Sequence, residues 1–274
     1  RYILIKIVSF NAEFMDRRNL LKLLTIGGTG TAMGIYGSSF SRAIASDSQV
    51  DWGYVGSKNP TYWGDLSSKY QTCKFGQMQS PINLQGAIKA ELPTIQIAYQ
   101  DIPLMILNNG HTIQVNAKPG NQITLNDKVF DLIQFHFHHP SEHQLMNKTY
   151  PMELHFVHRN QAGELAVLGV FLKAGTENAA LKPIWKAMPS KPQAEQVIAG
   201  VKIPIASLLP SQGDTYEYFG SLTTPPCSEI VNWVVFHHPI EISQFQIDQF
   251  KQIFSLNARP LQSLGHRFLL DVKS

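Results

Sequence analysis

The feature that most constrains this chain is a histidine-rich stretch at residues 134–158, which holds six of its ten histidines. At its start, Gln134, His136 and His138 alternate with two phenylalanines, which is the period of a half-buried β-strand. The three polar side chains are therefore expected on one face of the strand. The phenylalanines share the opposite face.

The end of the stretch repeats this alternation on a second predicted strand, where Glu153, His155 and Val157 share one face. The segment between the two strands contains an asparagine and two prolines, which favours a connection that brings antiparallel strands side by side. The imidazoles of His136, His138 and His155 would then converge on one point.

A single histidine on a strand is most often solvated or hydrogen-bonded, and that alternative applies to each residue taken alone. Three imidazoles on two adjacent strands favour a metal site instead. Three protein ligands with an open fourth position are the arrangement of catalytic zinc. His139, His143 and His158 fall outside the proposed faces, and we interpret them as structural or surface residues.

Residues 15–45 have the layout of an export signal: a basic segment, an uncharged run and a small-x-small cleavage site at Ala43–Ala45. Arg17 and Arg18, followed by Asn-Leu-Leu-Lys, resemble a twin-arginine signal. The uncharged run is too short and glycine-rich to indicate a membrane span, and an amphipathic anchor is the alternative. We predict a leader at 1–45 and export to the periplasm or the medium by the twin-arginine route, with Met15 as an alternative start.

The net charge of +3 belongs to this leader, which contains six of the 23 basic and two of the 20 acidic residues. Removal of the leader leaves 17 basic and 18 acidic side chains, a net charge of −1. The mature chain therefore has no overall basic character that would predict nucleic-acid binding.

The sequence contains two cysteines, Cys73 and Cys227. An even number in an exported chain favours one disulfide over two free thiols. Metal ligation by the thiols is the weaker alternative, because neither cysteine has a metal-type partner nearby in sequence.

Residues 46–274 are predicted to form one domain, mainly β with a few short helices. Short β-type runs separated by Asn, Gly and Pro occur between residues 95 and 172. Helical patterns are few, the best at about residues 179–187 and 242–254, and no linker or repeat of fixed period divides the segment.

The roles of two further segments depend on what their side chains face in the fold. His111 lies at a turn that enters a strand, and alone it is best interpreted as a surface histidine. The Leu-Thr-Thr-Pro-Pro segment at 222–226 is a stiff loop, because each proline restricts itself and the residue before it. A rigid turn with two surface threonines is the alternative interpretation of that loop.

Taken together, these segments closely resemble the α-class carbonic anhydrases, in the order of the family and over residues 52–267. The matching segments lie at 52–54, 79–83, 108–111, 134–138, 141–143, 153–158, 220–226 and 257–260. The resemblance implies a mainly β fold around a large twisted, mostly antiparallel sheet, with Zn²⁺ at the base of a conical cleft. It places the zinc on His136, His138 and His155.

The resemblance also assigns roles to residues that lie far apart in sequence. Behind the ligands it places Gln134, Glu153 and His143. The catalytic positions are the proton shuttle His111 and the gatekeeper pair Glu142 and Thr223. The substrate-binding positions are Val157, Val167, Leu222, Thr223, Thr224 and Trp233. The polar wall of the cleft contains Tyr54, Asn109 and Gln114, and the disulfide of exported members falls on Cys73 and Cys227.

The implied reaction is the reversible hydration of carbon dioxide to bicarbonate and a proton by a zinc-bound hydroxide, with His111 moving the proton. Such an enzyme is a carbonate dehydratase, a carbon–oxygen lyase. The alternatives are a zinc esterase of the same fold and a non-catalytic binding module, which the unsubstituted catalytic positions disfavour. The expected partner is a small molecule, with no nucleic acid and no stable membrane span. The oligomeric state is not predicted.

Overall fold

The computed structural model describes residues 50–274 of the 274-residue chain. The predicted leader at 1–45 lies outside the described residues, so its cleavage and the export route stay predictions. The described residues belong to a single structural unit. None of their helices is long and apolar enough to cross a membrane.

Strands account for most of the regular structure of residues 50–274. Their bounds are β1 Asn83–Leu84, β2 Ile88–Ala90, β3 Gln96–Ala98, β4 Ile102–Asn108, β5 Ile113–Asn116, β6 Gln122–Leu125, β7 Lys128–His138, β8 Gln144–Leu145, β9 Met152–Arg159, β10 Leu165–Ala174, β11 Gln193–Ile203, β12 Thr215–Gly220, β13 Val231–Phe236, β14 Ile240–Ile242 and β15 Leu270–Val272. The helices are α1 Trp63–Leu66, α2 Thr72–Phe75, α3 Lys182–Ala187 and α4 Gln244–Ile253, with 3₁₀ turns at Gly56–Lys58, Pro60–Tyr62, Ser68–Tyr70, Ala179–Leu181 and Ile205–Leu208.

Thirteen of these strands form one sheet, whose main path runs β11-β4-β5-β7-β9-β10-β13-β12-β15-β2. Most neighbours are antiparallel, and the parallel pairs of this sheet are β10 with β13, β10 with β14 and β15 with β2. The prediction of a large, mostly antiparallel sheet is confirmed, with a mixed character that the sequence did not indicate. Strands β1 and β8 form a separate parallel pair.

The two histidine-bearing segments pair as β7 and β9, antiparallel and directly adjacent. Their register places His136 opposite His155 and His138 opposite Glu153. Because side chains alternate across a strand, this register gathers the three predicted ligands on one face. The opposite face carries Phe135, which is fully buried in the main hydrophobic core.

Helix α4 covers the back of these strands. It begins at a capping box, in which Ser243 and Gln246 satisfy each other's backbone N–H groups. Its Phe250 is fully buried, with its ring centroid 6.0 Å from that of Phe137, the residue between His136 and His138. The helix therefore helps to fix the strand that carries two of the predicted ligands.

Strand β11 was not predicted. Its sequence at 193–203 is rich in Gln, Ala and Glu, and nearly all of its side chains are exposed, so it lacks the alternation that marks a half-buried strand. It forms one edge of the sheet beside β4.

Candidate metal centre

The imidazoles of His136, His138 and His155 converge in the structure as the sequence predicts. Their ring centroids are 5.0 Å apart for His136 and His138, 5.4 Å for His136 and His155, and 4.6 Å for His138 and His155. One nitrogen from each ring lies within 4.8 Å of the other two, an arrangement that can hold a metal ion. His138 and His155 are almost completely buried.

Each ring is also held from behind through its other nitrogen. His136 Nδ1 lies 2.8 Å from Gln134 Oε1, and His138 Nδ1 lies 2.7 Å from the backbone carbonyl of Asn257. Both partners are acceptors, so these nitrogens carry the proton and the Nε2 atoms keep their lone pairs. His155 is held the other way round, with Nε2 2.8 Å from Glu153 Oε1, which leaves its Nδ1 free to bind.

Burial favours the neutral form of His136 and His138, and a metal ligand must be neutral. It lowers the pKa of His136 well below its ordinary value, and the neighbouring imidazoles of His138 and His155 lower it further. Burial also lowers the pKa of His138, against a smaller opposing effect of the Glu142 carboxylate.

Glu153 connects the candidate ligand His155 to a buried polar network. Its carboxylate oxygens accept hydrogen bonds from His143 Nδ1 at 2.7 Å and from the His143 backbone N–H at 2.8 Å. Burial opposes ionisation of Glu153, but its contacts with His143 and His155 hold its pKa well below the ordinary value. His143 Nε2 in turn lies 2.6 Å from the Tyr218 hydroxyl. His143 therefore lies behind the ligand set, through Glu153.

Two buried atoms at the centre lack any hydrogen-bond partner: His138 Nε2 and Glu142 Oε2, which are 3.4 Å apart. The other Glu142 oxygen accepts the backbone N–H of Arg259 at 2.8 Å. An unpartnered imidazole lone pair is costly in an interior. Three imidazole nitrogens that converge and leave one side open are a donor set suited to zinc, and the residues present therefore fit that ion.

Thr223 is buried, with 6% of its surface exposed. Within residues 50–274 its hydroxyl makes no hydrogen bond, so the predicted link between Thr223 and Glu142 stays a prediction. Its loop is anchored on both sides, since Leu222 N–H donates to the Ser228 carbonyl and Cys227 N–H donates to the Thr224 carbonyl.

The predicted apolar substrate positions come together in one cluster. Val167 lies opposite Val157 on β9 and opposite Trp233 on β13, and Leu222 packs against the same group. The Trp233 ring centroid is 4.9 Å from that of His155. An apolar wall therefore borders the histidine cluster directly.

The predicted polar positions lie on the turn before β5, in β5 itself and on the segment after residue 50. His111 is partly buried and stacks on Trp52, with ring centroids 3.7 Å apart and planes inclined by 6°. Burial lowers the pKa of His111, against an opposing effect of Asp51. Asn109 Nδ2 donates to Gln114 Oε1 at 3.3 Å. Burial raises the pKa of Tyr54 well above its ordinary value, so its hydroxyl stays protonated.

Cys73 and Cys227 form a disulfide, which confirms the predicted pairing. The carbonyls of both cysteines are used as well: that of Cys73 accepts from the Arg259 guanidinium at 3.0 Å, and that of Cys227 accepts from the Gln79 amide at 3.1 Å. The disulfide and the loop at 222–226 are thus parts of one hydrogen-bonded assembly.

Three residues that contact the centre were not predicted from the sequence to do so. Asn257 acts on His138 through a backbone carbonyl, which no side-chain pattern can reveal. Arg259 acts on Glu142 through its backbone N–H, and Trp52 acts through ring stacking. The only signal for them was that their segments belong to the set that resembles a known family.

The sequence and the fold both match known proteins. The family model described as eukaryotic-type carbonic anhydrase matches residues 58–271. A carbonic anhydrase from Nostoc sp. is 43% identical over 263 residues, which cover 93% of this chain and 97% of that protein. A carbonic anhydrase from Pectobacterium carotovorum is 43% identical over 83% of this chain and 93% of its own length. The solved structure of the α-carbonic anhydrase from Thermovibrio ammonificans, in complex with the inhibitor sulfanilamide, superposes with a TM-score of 0.79 at 44% identity, covering 81% of this chain and 99% of that one.

The fold is thus a mixed β-sheet with three convergent imidazoles beside an apolar wall, a site that can hold one metal ion. The match over nearly all of the described residues shows that the chain belongs to the α-class carbonic anhydrase family. It is therefore an enzyme for the reversible hydration of carbon dioxide, the activity of that family.

Proposed function

We propose that His136, His138 and His155 hold a zinc ion for the hydration of carbon dioxide. The observation that supports this proposal is that each ring is fixed from behind by an acceptor while its remaining nitrogen points into the cluster. Zinc, when bound, would lower the pKa of a water molecule on it to about 7, an effect for which carbonic anhydrase is itself the standard example.

Glu142 and Thr223 orient the reacting oxygen in this proposal. One oxygen of Glu142 is already occupied by the Arg259 N–H, and the other is buried and free. An ionised carboxylate can only accept hydrogen bonds, so the Thr223 hydroxyl would donate to it. Because the hydrogen of the Thr223 hydroxyl is used in that bond, the Thr223 oxygen can act only as an acceptor toward the nucleophile.

The apolar wall binds carbon dioxide. Val157, Val167, Leu222 and Trp233 present no free polar group there, because the Trp233 indole N–H is already donated to the Ser221 carbonyl at 3.0 Å. An uncharged, nonpolar gas is favoured on such a surface over water. Thr224, beside Thr223, adds a hydroxyl at the polar margin of this wall and completes the proposed substrate-binding set.

His111 exports the proton that hydration releases. Neutral imidazole accepts a proton near physiological pH, and partial burial lowers the pKa of His111, which favours subsequent release to buffer. Tyr54, Asn109 and Gln114 line the polar side, where their amide and hydroxyl groups can order the waters that carry the proton.

The metal assignment is tested by replacing each ligand singly: His136→Ala, His138→Ala and His155→Ala. We expect each variant to lose zinc, measured by elemental analysis, and carbon dioxide hydration, measured by stopped flow, together. His266→Ala is a matched control, because His266 is exposed. Full hydration activity in a ligand variant that lacks zinc would refute the proposal.

The orienting role is tested separately by Glu142→Gln. We expect a large loss of hydration with zinc retained, because an amide can donate as well as accept and no longer fixes the direction of the Thr223 hydroxyl. Loss of zinc in this variant would instead indicate that Glu142 supports the ligands.

We further propose that the mature enzyme is exported. The disulfide between Cys73 and Cys227 supports an oxidising compartment, since such bonds rarely persist in the cytosol. Fractionation of cells that express the full chain, with N-terminal sequencing of the product, tests export and the predicted cleavage after Ala45. An uncleaved protein in the cytosolic fraction would contradict both.

A further inference from the structure

A chain of side-chain amides begins at the turn that carries His111. The Asn109 Oδ1 atom accepts two backbone hydrogen bonds, from the N–H of His111 and the N–H of Thr112, both at 2.9 Å. Backbone N–H groups can only donate, so the orientation of the Asn109 amide is fixed. Its NH₂ group must point away from the turn, toward Gln114 Oε1 at 3.3 Å.

The chain continues outward to the edge of the sheet. Gln114 Nε2 donates to Asn116 Oδ1 at 2.6 Å, and Asn116 Nδ2 donates to Glu195 Oε2 at 2.6 Å. Glu195 is exposed and lies on β11, the edge strand, 79 residues further along the chain than Asn116. The chain of amides therefore ends on a carboxylate, which can only accept.

The two ends of this chain require the same direction of donation. The backbone donors at His111 require every amide to donate outward, and the last amide then needs an acceptor, which Glu195 provides. We infer that Glu195 is a positioning residue for His111: it holds the direction of the amide chain that anchors the turn. The inference rests on the proposed role of His111 as the proton shuttle.

A donor at position 195 could not be accommodated by rotating the amides. If Asn116 turned its oxygen toward a lysine, its NH₂ group would face the NH₂ group of Gln114. Turning Gln114 as well would bring its NH₂ group to the NH₂ group of Asn109, and turning Asn109 in turn would bring its NH₂ group to the two backbone donors. One hydrogen bond must be lost at some point in the chain, and the turn at His111 loosens where the loss falls on Asn109.

The test compares Glu195→Lys with Glu195→Gln, whose amide still offers an oxygen to Asn116. We expect Glu195→Lys to lower kcat at low buffer concentration about two- to five-fold, the effect of one lost hydrogen bond. The kcat/KM for carbon dioxide should not change, because it covers the steps before the proton leaves. Added imidazole should restore kcat, and Glu195→Gln should behave like the unmodified enzyme. Glu91→Lys, an exposed residue just after β2 at the opposite end of the sheet path, controls for the charge change.

The same substitution is then made in a His111→Ala background. If Glu195 acts through His111, Glu195→Lys adds no further loss there. The inference is wrong if Glu195→Lys matches Glu91→Lys, if kcat/KM falls equally, if Glu195→Gln loses as much, or if the loss persists without His111. Should His111→Ala itself cause no buffer-restored loss, the shuttle role fails, and this inference fails with it.

Discussion

The side-chain amide of Asn257 donates a hydrogen bond to the backbone carbonyl of His111 at 3.0 Å. The same NH₂ group donates to the carbonyl of Phe137 at 2.9 Å, and the backbone carbonyl of Asn257 accepts from His138 Nδ1. Asn257 is completely buried. One residue therefore joins the turn of the proposed proton shuttle to the strand that carries two of the proposed metal ligands.

We predict that Asn257→Asp destabilises the protein. The carboxylate cannot donate, so the carbonyls of His111 and Phe137 lose their partner, at a cost of about 1–3 kcal/mol for each unsatisfied buried group. Urea unfolding at neutral pH measures the loss. Asn232→Asp is the matched control, because the partly buried Asn232 amide donates only to the Leu165 carbonyl, at 3.1 Å. An equal or larger loss in the control would show that the buried amide of Asn257 has no special role.

We predict that Glu153→Gln weakens metal binding. The carboxylate fixes the orientation of His155 and makes it a better ligand, and loss of such a partner costs about 10–100-fold in metal affinity. Chelator competition measures the zinc affinity, with Glu217→Gln as a control at another buried carboxylate. Unchanged zinc affinity in Glu153→Gln would show that the His155 ring is held by other contacts.

The sequence predicted correctly that the three imidazoles share one face of the sheet, because strand alternation is a local property. His136, His138 and His155 could be placed on one face of two strands from their spacing alone, and β7 and β9 have that arrangement. The same reasoning failed for β11, whose exposed edge position leaves no hydrophobic alternation to recognise.

Contacts that depend on distant pairing could not be predicted in this way. The partner of His138 is a backbone carbonyl 119 residues away, and Glu195 reaches Asn116 across 79 residues. Neither contact leaves a pattern in sequence, because each is set by the packing of whole elements. Strand alternation alone gave His143 only a structural or surface role, whereas the family resemblance placed it behind the predicted ligands, and His143 does contact Glu153.

We predict that loss of the disulfide lowers stability. Cys73 and Cys227 are 154 residues apart, so their bond closes a long loop and restricts the unfolded chain strongly. The chain-entropy account gives about 5 kcal/mol for such a loop, and measured values are typically about 2–4 kcal/mol. Urea unfolding of Cys73→Ser/Cys227→Ser against the oxidised protein tests this value. Reduction of the native protein should reproduce the effect, and a difference below about 1 kcal/mol would contradict it.

His158 is a buried histidine that lies outside the candidate metal centre. His158 is fully buried; its Nδ1 lies 3.2 Å from the Ala166 carbonyl and its Nε2 lies 2.6 Å from the Tyr99 hydroxyl. Burial raises the pKa of Tyr99 well above its ordinary value, so the phenol stays protonated and donates to the ring. Both contacts suit a neutral imidazole. Burial accordingly lowers the pKa of His158 from 6.5 to about 4.

We predict that His158 makes the folded state sensitive to acid. Above pH 6.5 the ring is neutral in both the folded and the unfolded chain, and its contribution to stability is complete. As the pH falls toward about 4, His158 becomes protonated in the unfolded chain but stays neutral in the folded chain. The free energy of unfolding therefore falls by up to about 3 kcal/mol. Urea unfolding at about pH 7.5 and about pH 5 should show a smaller pH effect in His158→Gln than in the unmodified protein. His266→Gln, at an exposed histidine, should leave the pH effect unchanged, and an equal pH effect in all three proteins would refute the prediction.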